Sequence, residues 1–133
     1  MSGPAPGKAP CGTCPYRRDV PAGIWDASEY AKLPGYDGET WQQSPALFFC
    51  HQQDGRLCAG WVGCHDTDHL LALRFNRVAP ETFSYVSPVP LFSSGCEAAA
   101  HGLSQVDAPD ARARSAIAKL STRPEPALRA GEA

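Results

Sequence analysis

The sequence lacks the features that mark membrane, secreted or strongly charged proteins. No apolar run approaches the roughly 20 residues of a membrane span. Residues 1–10 carry one charged residue, Lys8, and no apolar segment, so no signal peptide is predicted. The formal net charge of −2 is too small to favour a nucleic-acid or membrane surface. We therefore expect a cytoplasmic protein with no membrane partner.

Catalytic arrangements and internal repeats are also missing. No Ser-His-Asp pattern is recognisable, and Asp54, Asp66 and Asp68 are explained as turn and cap residues. A thioredoxin-like role for Cys11 and Cys14 would require a strand before the pair and a helix after it. The small residues and prolines that precede Cys11 predict neither element. The sequence thus favours a protein that is not an enzyme.

Proline, glycine and cysteine are what the chain has in quantity. Thirteen prolines and twelve glycines among 133 residues predict short elements joined by many turns. We expect a single small α+β domain of short helices and strands. Residues 1–10 would be a disordered lead-in, 11–103 the metal-binding domain, 104–120 a C-terminal helix and 121–133 a disordered tail.

Caps and apolar patterning place the elements within this frame. Asp26, with Glu29 three residues later, predicts a helix over about 27–33. Further helices are expected from Asp66, Thr67 or Asp68 to about residue 75, over 96–101 with Ser94 as the cap, and over 108–120 with Asp107 as the cap. Strands are expected over 46–51 and 82–86, and 57–62 is expected to be either a return strand or a loop that passes through the site.

Six cysteines in a reducing compartment indicate metal binding or redox chemistry more than structural disulfides. Cys11 and Cys14 have the spacing that lets two sulfurs face one ion across a tight turn. Cys50 and Cys58 supply a second, wider pair. The predicted metal ligands are therefore Cys11, Cys14, Cys50 and Cys58.

Two kinds of centre use four thiolates. Tetrahedral zinc takes four cysteines, and so does a cubane [4Fe-4S] cluster. The seven residues between Cys50 and Cys58 are too many for a zinc knuckle and suit a cluster better. Aromatic neighbours such as Phe48, Phe49 and Trp61 would shield such a cluster from solvent. The sequence does not decide between an iron–sulfur cluster and Zn²⁺ as the bound centre.

Other residues could replace a ligand or lie behind one. The alternative ligands are His51, Cys64 and His65. Trp61 is expected to pack behind the ligands. Adjacent side chains in a strand point to opposite faces, so Cys50 and His51 are not expected to bind the same ion. Cys96 is interpreted as a small apolar residue of a helix.

Four segments together resemble a family of small cysteine-containing proteins of actinobacteria and their phages, catalogued as a domain of unknown function. The segments are Cys11-Gly-Thr-Cys14-Pro15-Tyr16-Arg17, Phe49-Cys50-His51-Gln52, Cys58-Ala59-Gly60-Trp61 and His69-Leu70-Leu71-Ala72-Leu73-Arg74. The resemblance implies that the four predicted ligands, with His51 and Trp61, form the family's defining site, and it implies no activity. WhiB-like iron–sulfur regulators offer a looser analogy, although their cysteine spacing differs.

The sequence supports two classes of function. In the first, the metal centre holds together a sensor, regulatory or interaction module that meets a protein partner. In the second, the cluster makes the protein a redox protein or electron carrier. A weaker alternative is nucleic-acid binding through Arg17, Arg18, Arg74 and Arg77, which the net charge disfavours.

Overall fold

The chain folds into short helices joined by turns. The computed structural model describes residues 3–121, although not the side chain of Ser121. Five α-helices are described: α1 (Ala27–Ala31), α2 (Ala59–Cys64), α3 (Leu71–Phe75), α4 (Gly95–Leu103) and α5 (Ala111–Ser121). Four 3₁₀ helices lie between them: η1 (Leu33–Tyr36), η2 (Thr40–Gln42), η3 (Thr67–His69) and η4 (Pro80–Ser84).

The predicted α+β class is wrong, because residues 3–121 form no strand and no sheet. Three isolated bridges pair single residues: Pro6 with Leu57, Arg17 with Leu91, and Phe49 with Leu57. Within the segment 46–51, only Phe49 forms a bridge. The chain that pairs with it at Leu57 continues directly into α2, whose N-cap is Cys58. Apolar content alone cannot separate a short strand from such a segment.

The other two predicted strands are helical. Cys58 accepts a hydrogen bond from the Trp61 N–H and begins α2, so the expected strand over 57–62 ends after one residue. Residues 82–84 of the 82–86 segment belong to η4, which starts at Pro80 because the fixed φ of proline suits the first turn of a helix, and Tyr85 ends it.

Helix caps were predicted better than helix lengths. Asp26 caps α1 and Ser94 caps α4, as expected. α1 ends at Ala31, short of the predicted end, and η1 follows with Pro34 in its first turn. α5 starts three residues later than predicted, where the Asp110 carboxylate accepts from the Ala113 N–H at 2.8 Å.

The main core surrounds α2. Trp61, Tyr16, Leu33 and Leu57 are fully buried there. α4 packs across α1 and η1. Gly102 permits this approach, because a Cβ at that position would overlap the Tyr30 ring.

Two peripheral segments complete the fold. Residues 3–10 were predicted to be disordered. They lie against the core, where the N–H groups of Ala79 and Leu57 donate to the carbonyls of Pro4 and Ala5. α5 packs with Val20 and Ile24 in a second, smaller cluster around Ala113. The tail predicted over 121–133 lies outside the described residues, except for the backbone of Ser121. Among the described helices, none is long and apolar enough to cross a membrane.

Candidate metal centre

Three separate parts of the chain carry the four predicted ligands. Cys11 and Cys14 lie in one tight turn, closed by a hydrogen bond from the Cys14 N–H to the Cys11 carbonyl at 3.1 Å. Cys50 follows the extended segment, where its N–H donates to the Arg56 carbonyl at 2.9 Å. Cys58 is the N-cap of α2, and its N–H donates to the Phe48 carbonyl at 2.9 Å. Backbone hydrogen bonds therefore fix the position of each of these segments.

The four thiols meet as two neighbouring pairs. The Sγ atoms of Cys14 and Cys58 are 3.8 Å apart in the core. Cys11 and Cys50 are both half-buried, and each shifts the pKa of the other, so the two residues lie near one another. Cys14 and Cys50 also influence each other electrostatically, so the two pairs are adjacent. Folding thus brings together residues that are far apart in sequence.

Backbone N–H groups donate to two of the four sulfurs. The Cys50 sulfur accepts from Gln52 at 3.4 Å and from Gln53 at 3.2 Å. The Cys58 sulfur accepts from Trp61 at 3.4 Å. The nearby backbone of Tyr16 and Arg17 lowers the pKa of Cys14, and the backbone of Thr13 acts in the same direction on Cys11. Hydrogen bonds of this kind stabilise a thiolate over a thiol.

Within each pair, the two cysteines shift each other's pKa values in opposite directions. The Cys11 thiol lowers the pKa of Cys50 to about 6, while the pKa of Cys11 is raised by the hydrogen bond to Cys50 and by burial. The hydrogen bond with Cys58 lowers the pKa of Cys14, and the same bond raises that of Cys58. One thiol of each pair is therefore easier to deprotonate than the other, and a metal that binds all four must displace the protons that remain.

Within residues 3–121, no three or more His, Cys, Asp or Glu side chains form a group arranged to hold a metal ion. The sulfurs of Cys14 and Cys58 lie as a hydrogen-bonded pair. The metal site, its cofactor and the ligand roles therefore stay predictions.

The backbone of α2 passes very close to the turn that holds Cys14. A Cβ on Gly60 would overlap the Cys14 sulfur and would lie 2.8 Å from the Tyr16 Cβ. Gly60 therefore fits the site because it has no side chain, a role that the sequence motif alone did not reveal.

Of the two alternative ligands at the end of α2, His65 has both ring nitrogens engaged by other partners. His65 directs Nδ1 to the Trp61 carbonyl at 2.8 Å and Nε2 to the Asp37 carboxylate at 3.1 Å. Cys64 is half-buried, and burial raises its pKa to about 12. Trp61 is fully buried and stacks on Phe48.

Cys96 is an exposed residue at the start of α4, and not the buried apolar residue that the sequence suggested. Its backbone N–H donates to Asp37 Oδ2 at 2.6 Å.

His51 belongs to a polar group beside the thiols. Its Nε2 lies 2.7 Å from Glu29 Oε1, and its ring stacks on Trp25 with centroids 4.5 Å apart. Lys32 contacts the same carboxylate at 3.1 Å. The hydrogen bond to His51 lowers the pKa of Glu29 to about 2, so Glu29 is ionised. The sequence assigned Glu29 to helix capping only, because nothing local indicates its distant partner.

A cavity of about 750 Å³ opens beside this group. Cys50 and His51 line it together with Phe48, Phe49 and Glu29. Cys50 is the one predicted ligand among its lining residues, so the cavity reaches one side of the thiol cluster.

The architecture defines a small helical protein with four cysteines gathered from distant segments. The model of a family of unknown function, DUF6283, matches residues 6–123, and the chain belongs to that family. This confirms the resemblance to a domain of unknown function. The chain matches no curated protein and no solved structure.

Proposed function

We propose that the protein is a small metal-binding protein whose four cysteines hold one metal centre. The observation that carries the proposal is the convergence of Cys11, Cys14, Cys50 and Cys58 from three segments, with backbone N–H groups donating to the sulfurs of Cys50 and Cys58. Thiolates are the form of cysteine that binds metals, and amide donors favour that form.

The spacing of the buried pair favours a single tetrahedral ion. Four Zn–S bonds of about 2.3 Å give a tetrahedron whose edges are about 3.8 Å. The Sγ atoms of Cys14 and Cys58 are separated by 3.8 Å. An iron–sulfur cluster binds its cysteines through separate irons and would require the sulfurs to move apart. Zn²⁺ is therefore the first choice and [4Fe-4S] the second.

The centre would act mainly by holding the fold together. Cys14 and Cys58 are buried in a core built from short helices, so a metal there would join the N-terminal turn to α2. Loss of the metal would then alter the surface that meets a protein partner. This is the behaviour of a sensor, regulatory or interaction module in the reducing cytoplasm, where thiols stay available.

Two arginines of the nucleic-acid alternative are already engaged by carboxylates. Arg17 pairs with Asp19 at 2.7 Å, and Arg18 pairs with Glu97 at 3.4 Å while lying over the Phe92 ring. These contacts favour a structural role for both side chains.

Anaerobic purification followed by metal analysis and an absorption spectrum tests the proposal. We expect a colourless protein with one zinc per chain. Several irons and a broad visible band would instead select the cluster and the electron-carrier role. A folded, metal-free protein that gains no stability from added zinc would refute the proposal.

Matched serine variants test the ligand assignment. Cys58→Ser should lower metal content and stability, because it removes a buried ligand. Cys96→Ser is the control and should change neither, since Cys96 is exposed at the start of α4. The assignment is wrong if Cys96→Ser strips the metal and Cys58→Ser retains it.

A further inference from the structure

The cavity beside His51 is bounded at both ends by hydrogen bonds. At one end the Tyr36 hydroxyl donates to the Ala46 carbonyl at 2.8 Å, and at the other His51 Nε2 lies 2.7 Å from the Glu29 carboxylate. Between these contacts, residues 47–50 form one side of the cavity, and α1 and η1 contribute to the other. A volume of about 750 Å³ that is bounded in this way suits a small molecule better than a peptide that passes through.

The walls of this cavity are largely apolar and aromatic. Tyr36, Leu47, Phe48 and Phe49 all line it. Phe49 is 47% exposed, so much of its ring remains accessible to a molecule in the cavity. Binding sites for small molecules are typically lined by apolar and aromatic side chains, and aromatic rings pack well against one another. The walls therefore favour a ligand with an aromatic body.

The charged side chains at the His51 end already neutralise one another. The Glu29 carboxylate lies 3.1 Å from Lys32 Nζ and also contacts the His51 ring. A charged ligand would have to break these contacts or leave its own charge unpaired, and both are costly. Asp54, the other acidic residue that lines the cavity, is exposed to water, where its charge is screened. The cavity therefore suits an uncharged ligand.

The backbone of Phe49 offers one hydrogen-bond donor and one acceptor. Phe49 pairs antiparallel with Leu57, and the residues on either side make the hydrogen bonds of this pairing, at 2.9 Å each. In such a pair, the N–H and C=O of the central residue are directed away from the partner segment. Within residues 3–121, neither group of Phe49 has a hydrogen-bond partner in the protein. Backbone groups of this kind bind water or a ligand.

We propose that the cavity beside His51 binds a small uncharged molecule that has an aromatic body and an amide group. The aromatic body packs against Phe49, and the amide pairs with the N–H and C=O of the same residue. The contact between Glu29 and Lys32 stays in place when the ligand is bound. This site is additional to the metal centre, because every contact that supports it joins two protein groups.

Three matched probes test the chemistry of the ligand. Phenylacetamide, phenylacetate and phenethylamine share one aromatic ring and are neutral, anionic and cationic at neutral pH. Each is titrated into full-length, isotope-labelled protein, as purified, and binding is followed by the NMR signals of the backbone amides. We expect phenylacetamide to bind with a dissociation constant on the order of 1 mM, at least about tenfold more tightly than either charged probe. The Phe49 amide should shift, whereas that of Ala113, in the separate cluster of α5, should not.

A matched pair of alanine variants tests the position of the ligand. Phe49→Ala removes an accessible ring from the cavity wall and should weaken phenylacetamide binding at least about fivefold. Phe75→Ala is the control, because Phe75 is also an exposed phenylalanine, at 69%, and does not line this cavity. It should leave the affinity unchanged.

Either charged probe binding as tightly as phenylacetamide overturns the inference, and so does a Phe49 amide signal that does not shift. An extended peptide containing phenylalanine that binds more tightly than phenylacetamide would show an open groove and would also overturn it. The titration of the parent protein decides the matter even if Phe49→Ala fails to fold.

Discussion

Gly60 shows how one missing side chain determines the geometry of the thiol cluster. The backbone of α2 passes so close to Cys14 and Tyr16 that a single methyl group has no room. Cys14 and Tyr16 are themselves almost fully buried, so neither can move away without disturbing the core. Overpacking of this kind is destabilising because the neighbours are forced from their preferred rotamers.

Gly60→Ala should therefore reduce both stability and metal content. We expect a loss of about 1–3 kcal/mol in the free energy of unfolding, measured by denaturant titration. Gly12→Ala is the matched control, since it lies in the same cysteine turn but a Cβ there meets nothing within 4 Å. Equal effects of the two variants would contradict the role given to Gly60.

At the scale of elements, Asp37 connects η1 to the start of α4. Its carboxylate accepts the Gly95 N–H at 2.8 Å and the Cys96 N–H at 2.6 Å, and it faces His65. Burial raises the pKa of Asp37, but the hydrogen bonds from Cys96, Gly95 and His65 outweigh it, so the net pKa lies below the ordinary 3.8. The ionised carboxylate thus stabilises the fold.

This contact predicts a dependence of stability on pH. A lowered pKa gives stabilisation that is present above the unfolded-state value of 3.8 and is lost as pH falls through the folded-state pKa. Asp37→Asn should cost about 1 kcal/mol at neutral pH and flatten the acid side of the stability curve. Thermal melts across the acid range measure both effects, with exposed Asp68→Asn as the control. If Asp37→Asn and the parent protein lose stability identically as the pH falls, the Asp37 carboxylate does not provide the predicted stabilisation.

α5 packs through a small cluster that is separate from the thiols. Ala113 is fully buried against Val20 and Ile24, whereas Ala111 on the same helix is exposed. Ala113→Leu should cost about 1–3 kcal/mol by overpacking, while Ala111→Leu should be close to neutral. Metal content should stay unchanged in both variants. A loss of metal in Ala113→Leu would show that α5 and the metal centre are coupled.

The whole molecule depends on few large buried side chains and many turns. The residues of its main core come from nearly every segment of the described chain; Cys14 and Cys58 belong to that core, and Cys11 packs against it. A metal bound there would join distant segments in the folded state only, so its binding free energy would add to stability.

Removal of metal by a chelator should therefore lower the melting temperature. We expect a fall of about 10 °C or more, reversed by added zinc, in thermal melts followed by circular dichroism. The Cys58→Ser variant supplies the comparison, because a protein without the site should be insensitive to the chelator. An unchanged melting temperature in the parent protein would indicate that the centre contributes nothing to the fold.

Local signals in the sequence predicted the local features well. Asp26, Ser94 and Asp66 were expected as caps, and each accepts a hydrogen bond from a backbone N–H of its helix. These caps are readable because the cap and its donor lie two or three residues apart. The strands failed for the opposite reason, since a strand exists only where a distant segment pairs with it.

The sequence by itself determined that Cys11 and Cys14 share a turn, which segments carry the cysteines, and which family the chain resembles. Only the tertiary structure decided that Cys14 lies beside Cys58 and that Cys11 lies beside Cys50. It also decided that His51 pairs with Glu29 and that His65 turns to Asp37. Those pairings join residues 22 to 44 positions apart, and their distances depend on how helices and turns pack, which local sequence patterns do not encode.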